Sequence, residues 1–401
     1  MRKPLFIFLF CLMEASVFAF TLSPEAKISL LTCAPGEEVY ARFGHTAIRV
    51  NDAPNSIDEV FNYGIFDFNA ESFLYRFVKG ETDYILGTTD FNYFVWEYES
   101  RHSAVVEQVL NLTGEERQSL FDALMLNALP ENRTYRYNYF FDNCSTRPRI
   151  MIENAVISGI IYSPFDTSNT FRRWISEYVG RGTWLEFGID LLIGGRADLP
   201  QTGNESLFLP DNLMLAFGNA QVSRGGETQP LVAEQHFVTS PSPALPEGEG
   251  AGLRKQFPSF GGLREGAPFI TCWLLFFVVL LLTGLFYKKN KRGVWLDMLL
   301  FGAVGLAGCV IAFLVFFSVH PAVSPNWNLL WAHPLHLLFA LTLPFKSLQK
   351  WQRYYHFANT LVLLGTLIFY AFIPQLFNPA FFPLILCLLL CSLVKIKTNK
   401  R

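Results

Sequence analysis

The stretch FITCWLLFFVVLLLTGLFY at residues 269–287 decides how the chain is organised, because it holds no charged side chain. A helix that crosses the hydrocarbon core of a bilayer needs about 20 mainly apolar residues, and this stretch meets that requirement. Four further apolar runs follow at residues 294–319, 329–345, 354–373 and 381–394. We therefore predict an all-α transmembrane bundle of about five helices over residues 269–401.

The charges around these runs predict their orientation. From Pro268 onward the only acidic residue is Asp297. The basic residues form three clusters, which follow the first, third and fifth runs: Lys288, Lys289, Lys291 and Arg292; Lys346, Lys350 and Arg353; Lys395, Lys397, Lys400 and Arg401. Five spans would put all three clusters on one side, as the positive-inside rule requires. We expect a multi-pass protein of a bacterial inner membrane whose preceding domain faces the periplasm.

The N-terminal part is predicted to be exported. Arg2 and Lys3, an apolar run and small residues at Val17 and Ala19 are typical of a signal peptide over residues 1–19, with an uncleaved anchor as the alternative. Residues 240–268 are rich in Pro and Gly and predict a disordered linker. The exported domain would then span residues 20–239.

Composition limits the class of protein. Hydrophobic residues make up 51% of the 401 residues and the mean hydropathy is +0.26, so much of the chain must lie in lipid. The formal net charge of −2 indicates no basic surface for nucleic acid. His45 and His102 lack metal-ligand spacing with the cysteines, and we expect neither a metal nor a cofactor.

The exported domain has a mixed pattern. Aromatic and β-branched residues at 46–50 and 60–68 predict strands. Residues 112–129 predict a helix that begins with a capping box of Thr113 and Glu116. An α+β fold is expected.

Two segments of this domain carry residues suited to catalysis. In TCAPGEEVYARFGHTAIRV (residues 32–50), His45 lies at the start of a predicted strand. In YNYFFDNCSTRPR (residues 137–149), Cys144 lies just before a predicted helix, since Pro148 fits only a first helical turn. The helix dipole and a nearby His would lower the pKa of the Cys144 thiol. The two residues are the halves of a thiol nucleophile site.

An alternative interpretation of the same residues stays open. Cys33 and Cys144 are the only cysteines of residues 20–239, and in an oxidising compartment they would form a disulfide. His45 would then be a core residue at the end of a strand. This interpretation predicts a non-catalytic envelope scaffold.

The sequence also resembles a known family. Five motifs are similar, in this order, to those of the Lnb family of bacterial lipoprotein N-acyltransferases. They are LLTCAPGEEVYARFGHTAIRV (30–50), NYGIFDF (62–68), YNYFFDNCSTRPR (137–149), EFGIDLLIGGRADLP (186–200) and HPAVSPNWNLLWAHPLH (320–336). The first and third motifs also resemble permuted NlpC/P60 thiol enzymes, in which His precedes Cys. The resemblance implies a permuted papain-like, NlpC/P60-like exported domain.

What the resemblance implies is acyl transfer from a membrane phospholipid to the α-amino group of a diacylglyceryl lipoprotein's N-terminal Cys. Cys144 would be the nucleophile and His45 its base, with Asn62, ahead of Asp67, orienting the imidazole. Asn143 or the backbone N–H of Cys144 would stabilise the oxyanion. A thiol hydrolase of the envelope, a peptidase or cell-wall amidase, is the second candidate function.

Five further residues are candidates for substrate binding. Arg147 and Arg149, beside Cys144, would neutralise a phosphate, unless they are ordinary surface arginines. His320, Asn326 and Asn328 lie between the second and third apolar runs and would bind a head group or the lipoprotein, unless they belong to an interfacial aromatic belt.

Overall fold

The computed structural model describes residues 20–36, 38–67, 69, 71–165, 168–239, 267–288 and 293–398. The predicted signal peptide at residues 1–19 lies outside these residues. So does the predicted linker at residues 240–268, except for its last two positions.

A seven-stranded sheet forms the centre of the N-terminal domain. Its strands are β1 (Lys27–Cys33), β2 (His45–Asp52), β3 (Ile57–Ile65), β4 (Asp83–Asp90), β5 (Val105–Leu110), β6 (Thr134–Arg136) and β10 (Val232–Thr239). The order is β10-β5-β1-β2-β3-β4-β6, and every neighbouring pair is antiparallel. A small second sheet joins β7 (Ile160–Ile161), β8 (Gln221–Arg224) and β9 (Glu227–Pro230). The strands predicted at 46–50 and 60–68 correspond to β2 and β3.

Seven helices lie among the strands in the described part of this domain. They are α1 (Phe73–Lys79), α2 (Phe91–Ser100), α3 (Gly114–Ala128), α4 (Thr146–Ala155), α5 (Phe171–Val179), α6 (Trp184–Leu192) and α7 (Pro210–Gly218). The predicted capping box is present at α3, where the Glu116 N–H donates to Thr113 Oγ1 and the Thr113 N–H to Glu116 Oε2. The predicted α+β character is confirmed.

The central strand β1 is buried on both faces. Ile28 and Leu30 pack into the larger core, which α3, α4 and α7 help to form, whereas Leu31 and Cys33 pack on the opposite side with Phe94 of α2. Because successive side chains of a strand point to opposite faces, alternation along one strand supplies both cores. The sheet is therefore enclosed by helices on two sides.

The C-terminal region is helical. Its described helices are α8 (Ala267–Lys288), α9 (Val294–Phe317), α10 (Leu335–Thr342), α11 (Gln349–Ile368) and α12 (Phe381–Thr398). Two segments, Ala267–Phe286 and Val294–Phe317, are long and apolar enough to cross a membrane.

The third apolar run differs from its prediction. Instead of one continuous helix over residues 329–345, it contains the eight-residue α-helix α10, about 12 Å long at 1.5 Å per residue. Pro334 immediately precedes this helix and Pro344 follows it closely. The residue before a proline is disfavoured in α-helix, so the two prolines confine the helix to this short segment.

The two regions meet through backbone contacts after α6. The Gly194 N–H donates to Ala322 O at 2.7 Å, and the Gly195 N–H donates to Pro325 O at 2.8 Å. A Cβ atom on Gly194 would lie 2.3 Å from Pro325 O. Only glycine allows so close an approach, which explains the glycine pair in EFGIDLLIGGRADLP.

Candidate active site

His45 begins β2 and is oriented by the next strand. Its Nε2 lies 3.2 Å from Oδ1 of Asn62 on β3. An amide oxygen only accepts, so Nε2 carries the proton and Nδ1 is left as the proton acceptor. Asp67, the second choice for this role, instead accepts the backbone N–H of Asn69 at 2.8 Å. The geometry favours Asn62.

Cys144 lies in the tight turn before α4, as the position of Pro148 predicts. The Asn143 side chain builds this turn: its Oδ1 accepts the N–H groups of Ser145 and Thr146 at 2.8 and 2.9 Å. Its Nδ2 donates to Tyr139 O and Phe208 O, both at 2.8 Å. Both amide N–H groups of Asn143 are therefore used, and the prediction that this side chain donates to an oxyanion is corrected to a positioning role.

The structure brings Cys144 to the strand that carries His45. The backbone N–H of Thr46, the residue after His45, donates to the Cys144 sulfur. Across the turn lies Gly64 of β3, where an added Cβ would be 3.5 Å from the Cys144 Cβ. Gly64 has a φ of 98°, which side chains rarely tolerate. Cys144 and His45 line one cavity.

Burial sets the ionisation of both groups. It raises the pKa of the Cys144 thiol to about 11, and the backbone N–H groups of Thr46 and Cys144 offset this only in part. Burial also lowers the pKa of His45 to about 4, against a smaller opposing effect of the Asn62 hydrogen bond. The predicted lowering of the Cys144 pKa is therefore wrong, because desolvation of the thiolate outweighs the helix terminus. At pH 7 the site holds a neutral thiol beside a neutral imidazole.

The cavity next to Cys144 has a volume of about 690 Å³, within the range of sites that hold small organic ligands. Ten lining residues are aromatic: Tyr40, Phe43, Phe66, Phe73, Phe77, Tyr84, Tyr98, Tyr137, Tyr139 and Phe208. Glu97 and Arg101 of the wall form an ion pair. The lining is suited to a long apolar group.

The sequence interpretation missed Tyr139. Its ring lines the cavity, and its hydroxyl finds no hydrogen-bond partner among the described residues. It also interacts electrostatically with Cys144. The aromatic run before Cys144 was the only signal in the sequence, and it does not distinguish a tyrosine of the core from one that lines a cavity.

The disulfide alternative is not found, since Cys33 and Cys144 are both free thiols. Cys33 is fully buried at the end of β1 and hydrogen-bonds to Tyr98. It sits opposite His45 in the strand register. Its position is that of a packing residue.

Arg147 and Arg149 are held by carboxylates of their own domain. Arg147 Nε and Nη2 donate to the two oxygens of Asp142 at 2.6 and 2.8 Å. Arg149 Nη1 lies 3.0 Å from Glu153 Oε1, one turn further along α4. Each charge is paired with a carboxylate, which gives both arginines a structural role, and phosphate binding by them stays a prediction.

Asn326 and Asn328 hold the end of α6. Asn326 Nδ2 donates to Leu191 O and Leu192 O, both at 3.0 Å, and Asn328 Nδ2 donates to Asp190 O at 3.1 Å. These carbonyls end a helix and would otherwise lack partners. The two asparagines join the domains, in place of the predicted contact with a head group.

His320 joins the domains at another point. Its Nε2 lies 2.9 Å from the backbone oxygen of Phe77 on α1. This contact holds α1, and substrate binding by His320 stays a prediction. Among the described residues, no group of three or more His, Cys, Asp or Glu is arranged to hold a metal ion.

Comparison with known families gives two matches along the chain. The model of the Lnb N-terminal periplasmic domain matches residues 20–175, and that of the Lnb transmembrane domain matches residues 264–401. No curated protein and no solved structure matches the chain. The two matched regions have the properties of an exported domain followed by a membrane domain.

Proposed function

We infer that this chain, which belongs to the Lnb family, transfers an acyl chain from a membrane phospholipid to the α-amino group of a bacterial lipoprotein's lipidated N-terminal Cys. The observation that carries the proposal is that Cys144 and His45 line one cavity rich in aromatic residues, while Asn62 orients the His45 ring from behind. The envelope location follows from the family. The inner membrane and the periplasmic side are part of the proposal.

The first step is attack of Cys144 on a phospholipid ester. Because the thiol is neutral at rest, His45 Nδ1 accepts its proton as the C–S bond forms. The tetrahedral oxyanion accepts hydrogen bonds from the backbone N–H of Cys144 and the Tyr139 hydroxyl. Collapse breaks the ester C–O bond, and His45 returns the proton to the lysophospholipid alkoxide. An acyl thioester remains on Cys144.

In the second step the lipoprotein amine opens the thioester. An α-amine has a pKa of about 8, so part of it is neutral and nucleophilic at pH 7. His45 accepts the proton that the amine loses, and the thiolate of Cys144 leaves and is protonated again. The products are an amide and the free enzyme. The free energy that drives amide formation comes from the phospholipid ester broken in the first step.

The cavity supports lipid transfer over the alternative of a cell-wall hydrolase. A peptidase or amidase requires polar groups for a hydrophilic substrate, whereas the wall of this cavity is mostly apolar. Docking of the domain against an apolar helical region also suits substrates confined to a bilayer. Neither feature has a purpose in a soluble hydrolase.

Mass spectrometry of a lipoprotein's N-terminal peptide tests the proposal. The purified full chain is incubated in vesicles with a diacylglyceryl lipoprotein, and an amide-linked third acyl chain is expected. Free fatty acid without the amide would indicate a hydrolase. An unchanged peptide and unchanged phospholipid would contradict both activities.

A further inference from the structure

The cavity has an apolar mouth formed by two short segments. Leu74 and Phe77 of α1 line the cavity, yet they are 73% and 48% exposed. Val39 and Tyr40, in the single-turn helix Val39–Ala41, also line it and are 64% and 59% exposed. Exposed apolar surface around an opening is costly in water and marks a site of contact with a lipid or a partner.

The fold fixes α1 against one end of a candidate membrane span. The Val319 N–H donates to Lys79 O at 2.9 Å, and the Tyr75 and Phe313 rings are 6.2 Å apart between centroids. Phe313 belongs to the last turns of α9, the 24-residue apolar helix. This end of α9 must face the exported domain, because the residues directly after it contact α1.

The exposed side chains of α1 therefore lie beside the end of a helix that itself exposes apolar groups. Phe316 and Phe317, in the last turn of α9, are 71% and 65% exposed. Exposed aromatic side chains at the end of a helix long and apolar enough to span a bilayer favour contact with lipid. In α1 the charged residues Arg76 and Lys79 are paired with Asp83 and Glu81, so the segment combines an apolar surface with a neutralised polar one. Exposed aromatic and aliphatic side chains beside a membrane span suit a segment at the membrane interface.

We infer that α1 and residues 39–41 form a lateral opening that contacts the outer leaflet, through which a phospholipid acyl chain enters the cavity directly from the bilayer. The occupant is an acyl chain because the mouth and the cavity wall are both apolar and the mouth adjoins the span. That this acyl chain belongs to the acyl donor of the reaction rests on the proposed function. The opening itself rests only on the geometry of the mouth.

Photocrosslinking in vesicles tests the opening. The full chain, with p-benzoylphenylalanine in place of Leu74, is reconstituted into phosphatidylethanolamine and phosphatidylglycerol vesicles, and lipid adducts are measured by mass spectrometry. Ile157 is the matched control position. It is 70% exposed and follows the far end of α4, about 15 Å of helix away from Cys144.

The lipid adduct at position 74 should exceed that at position 157 at least about tenfold, since only the first lies in the leaflet. Equal yields at the two positions, or no lipid adduct at position 74, would overturn the opening. An adduct between position 74 and the lipoprotein peptide alone would also overturn it, because the mouth would then admit the acceptor.

A second comparison links the opening to the chemistry. Leu74→Asp should lower acylation of Cys144 from vesicle phospholipid at least about tenfold, because a carboxylate in the leaflet is unfavourable. Ile157→Asp should keep the rate of the parent protein. An iodoacetamide rate at Cys144 equal to that of the parent protein shows that the Leu74→Asp domain is folded, because unfolding would expose this buried thiol and speed the reaction. If the two rates differ, the crosslinking result decides.

The lateral opening and the proposed function can be rejected independently of each other. A lipid adduct at position 74 with no acyl group ever found on Cys144 would reject the proposed function and leave the opening standing. Acylated Cys144 with no such adduct would reject the opening and keep the function.

Discussion

Cys144 is the proposed nucleophile and His45 the proposed base, so formation of the acyl thioester should require both. Cys144→Ser should abolish thioester formation, because a serine alkoxide is far harder to form than a thiolate. His45→Ala should lower the rate about 10²–10⁴-fold, and the double variant should be no worse than Cys144→Ser. The measurement is acyl label on Cys144, released by hydroxylamine, when lipoprotein is withheld.

Cys33→Ser is the control for this pair. Since both cysteines are free thiols, the control should still form the acyl thioester on Cys144 and lose only some stability of the core. Triacylated lipoprotein produced at the normal rate by Cys144→Ser would end the assignment of the nucleophile.

The raised pKa of Cys144 predicts how it responds to pH. With a pKa of about 11 the thiolate fraction rises about tenfold per pH unit from pH 7 to 10, and the iodoacetamide rate at Cys144 should rise with it. Formation of the acyl thioester should stay nearly constant from pH 5 to 9, because His45, with a pKa of about 4, and the Cys144 thiol are both neutral there. Transfer to the lipoprotein should rise toward pH 8, because the α-amine loses its proton over that range. A plateau of alkylation below pH 8 would instead indicate a thiolate–imidazolium pair.

Individual residues differ in how far their roles could be predicted from sequence. Cys144, His45 and Asn62 were predicted together because their motifs resemble a family, and the fold brings them together. The direction of the Cys144 pKa shift was predicted wrongly, since burial depends on residues distant in the sequence. The partners of Asn143 and Arg147 are likewise set by packing.

At the level of elements, the turn before α4 depends on the Asn143 amide. Asn143→Ala would remove four hydrogen bonds, two at the helix terminus and two to buried backbone oxygens. We expect a loss of about 2–4 kcal/mol in the free energy of unfolding and a large loss of Cys144 acylation. Thermal unfolding in detergent and the acyl-label assay measure the two effects.

The capping box of α3 provides a matched control for this element. Thr113→Ala removes a helix cap far along the chain from the site and should cost about 1 kcal/mol without reducing acylation per folded molecule. If Asn143→Ala proved as mild as Thr113→Ala in both measurements, the positioning role would be wrong.

Elements with strong local signals were predicted well. The capping box gave the start of α3, and Pro148 gave the position of α4, because both features act within one helical turn. The third apolar run was predicted as one long helix, although Pro334 and Pro344 limit α10 to eight residues. Hydropathy alone favoured a long helix, and the local effect of proline on the backbone decided against it.

For the whole molecule, the five-span prediction gives a definite topology. A reporter fused after Arg401 should be cytoplasmic, and one inserted within residues 240–268 should be exported, because an odd number of spans puts these points on opposite sides. Two reporters on the same side would rule out an odd number of spans.

The final prediction concerns the joint between the two regions. In Gly194→Ala the new Cβ would meet three backbone atoms of the helical region, Pro325 O at 2.3 Å, Pro325 C at 2.8 Å and Val323 O at 2.9 Å. Backbone cannot move aside as a flexible side chain does, so the joint must open at a cost of about 1–3 kcal/mol.

Opening this joint should move the cavity mouth away from the bilayer while leaving the catalytic pair intact. Gly194→Ala should therefore lose acylation from vesicle phospholipid but keep the parent rate of Cys144 alkylation. Gly188→Ala, in the adjoining helix α6, is the matched control, because an added Cβ there meets no described atom within 4 Å and alanine favours helix. Equal loss of both reactions in Gly194→Ala would mean that the joint supports the fold of the domain, whereas no loss of either would mean that docking is not needed for access to lipid.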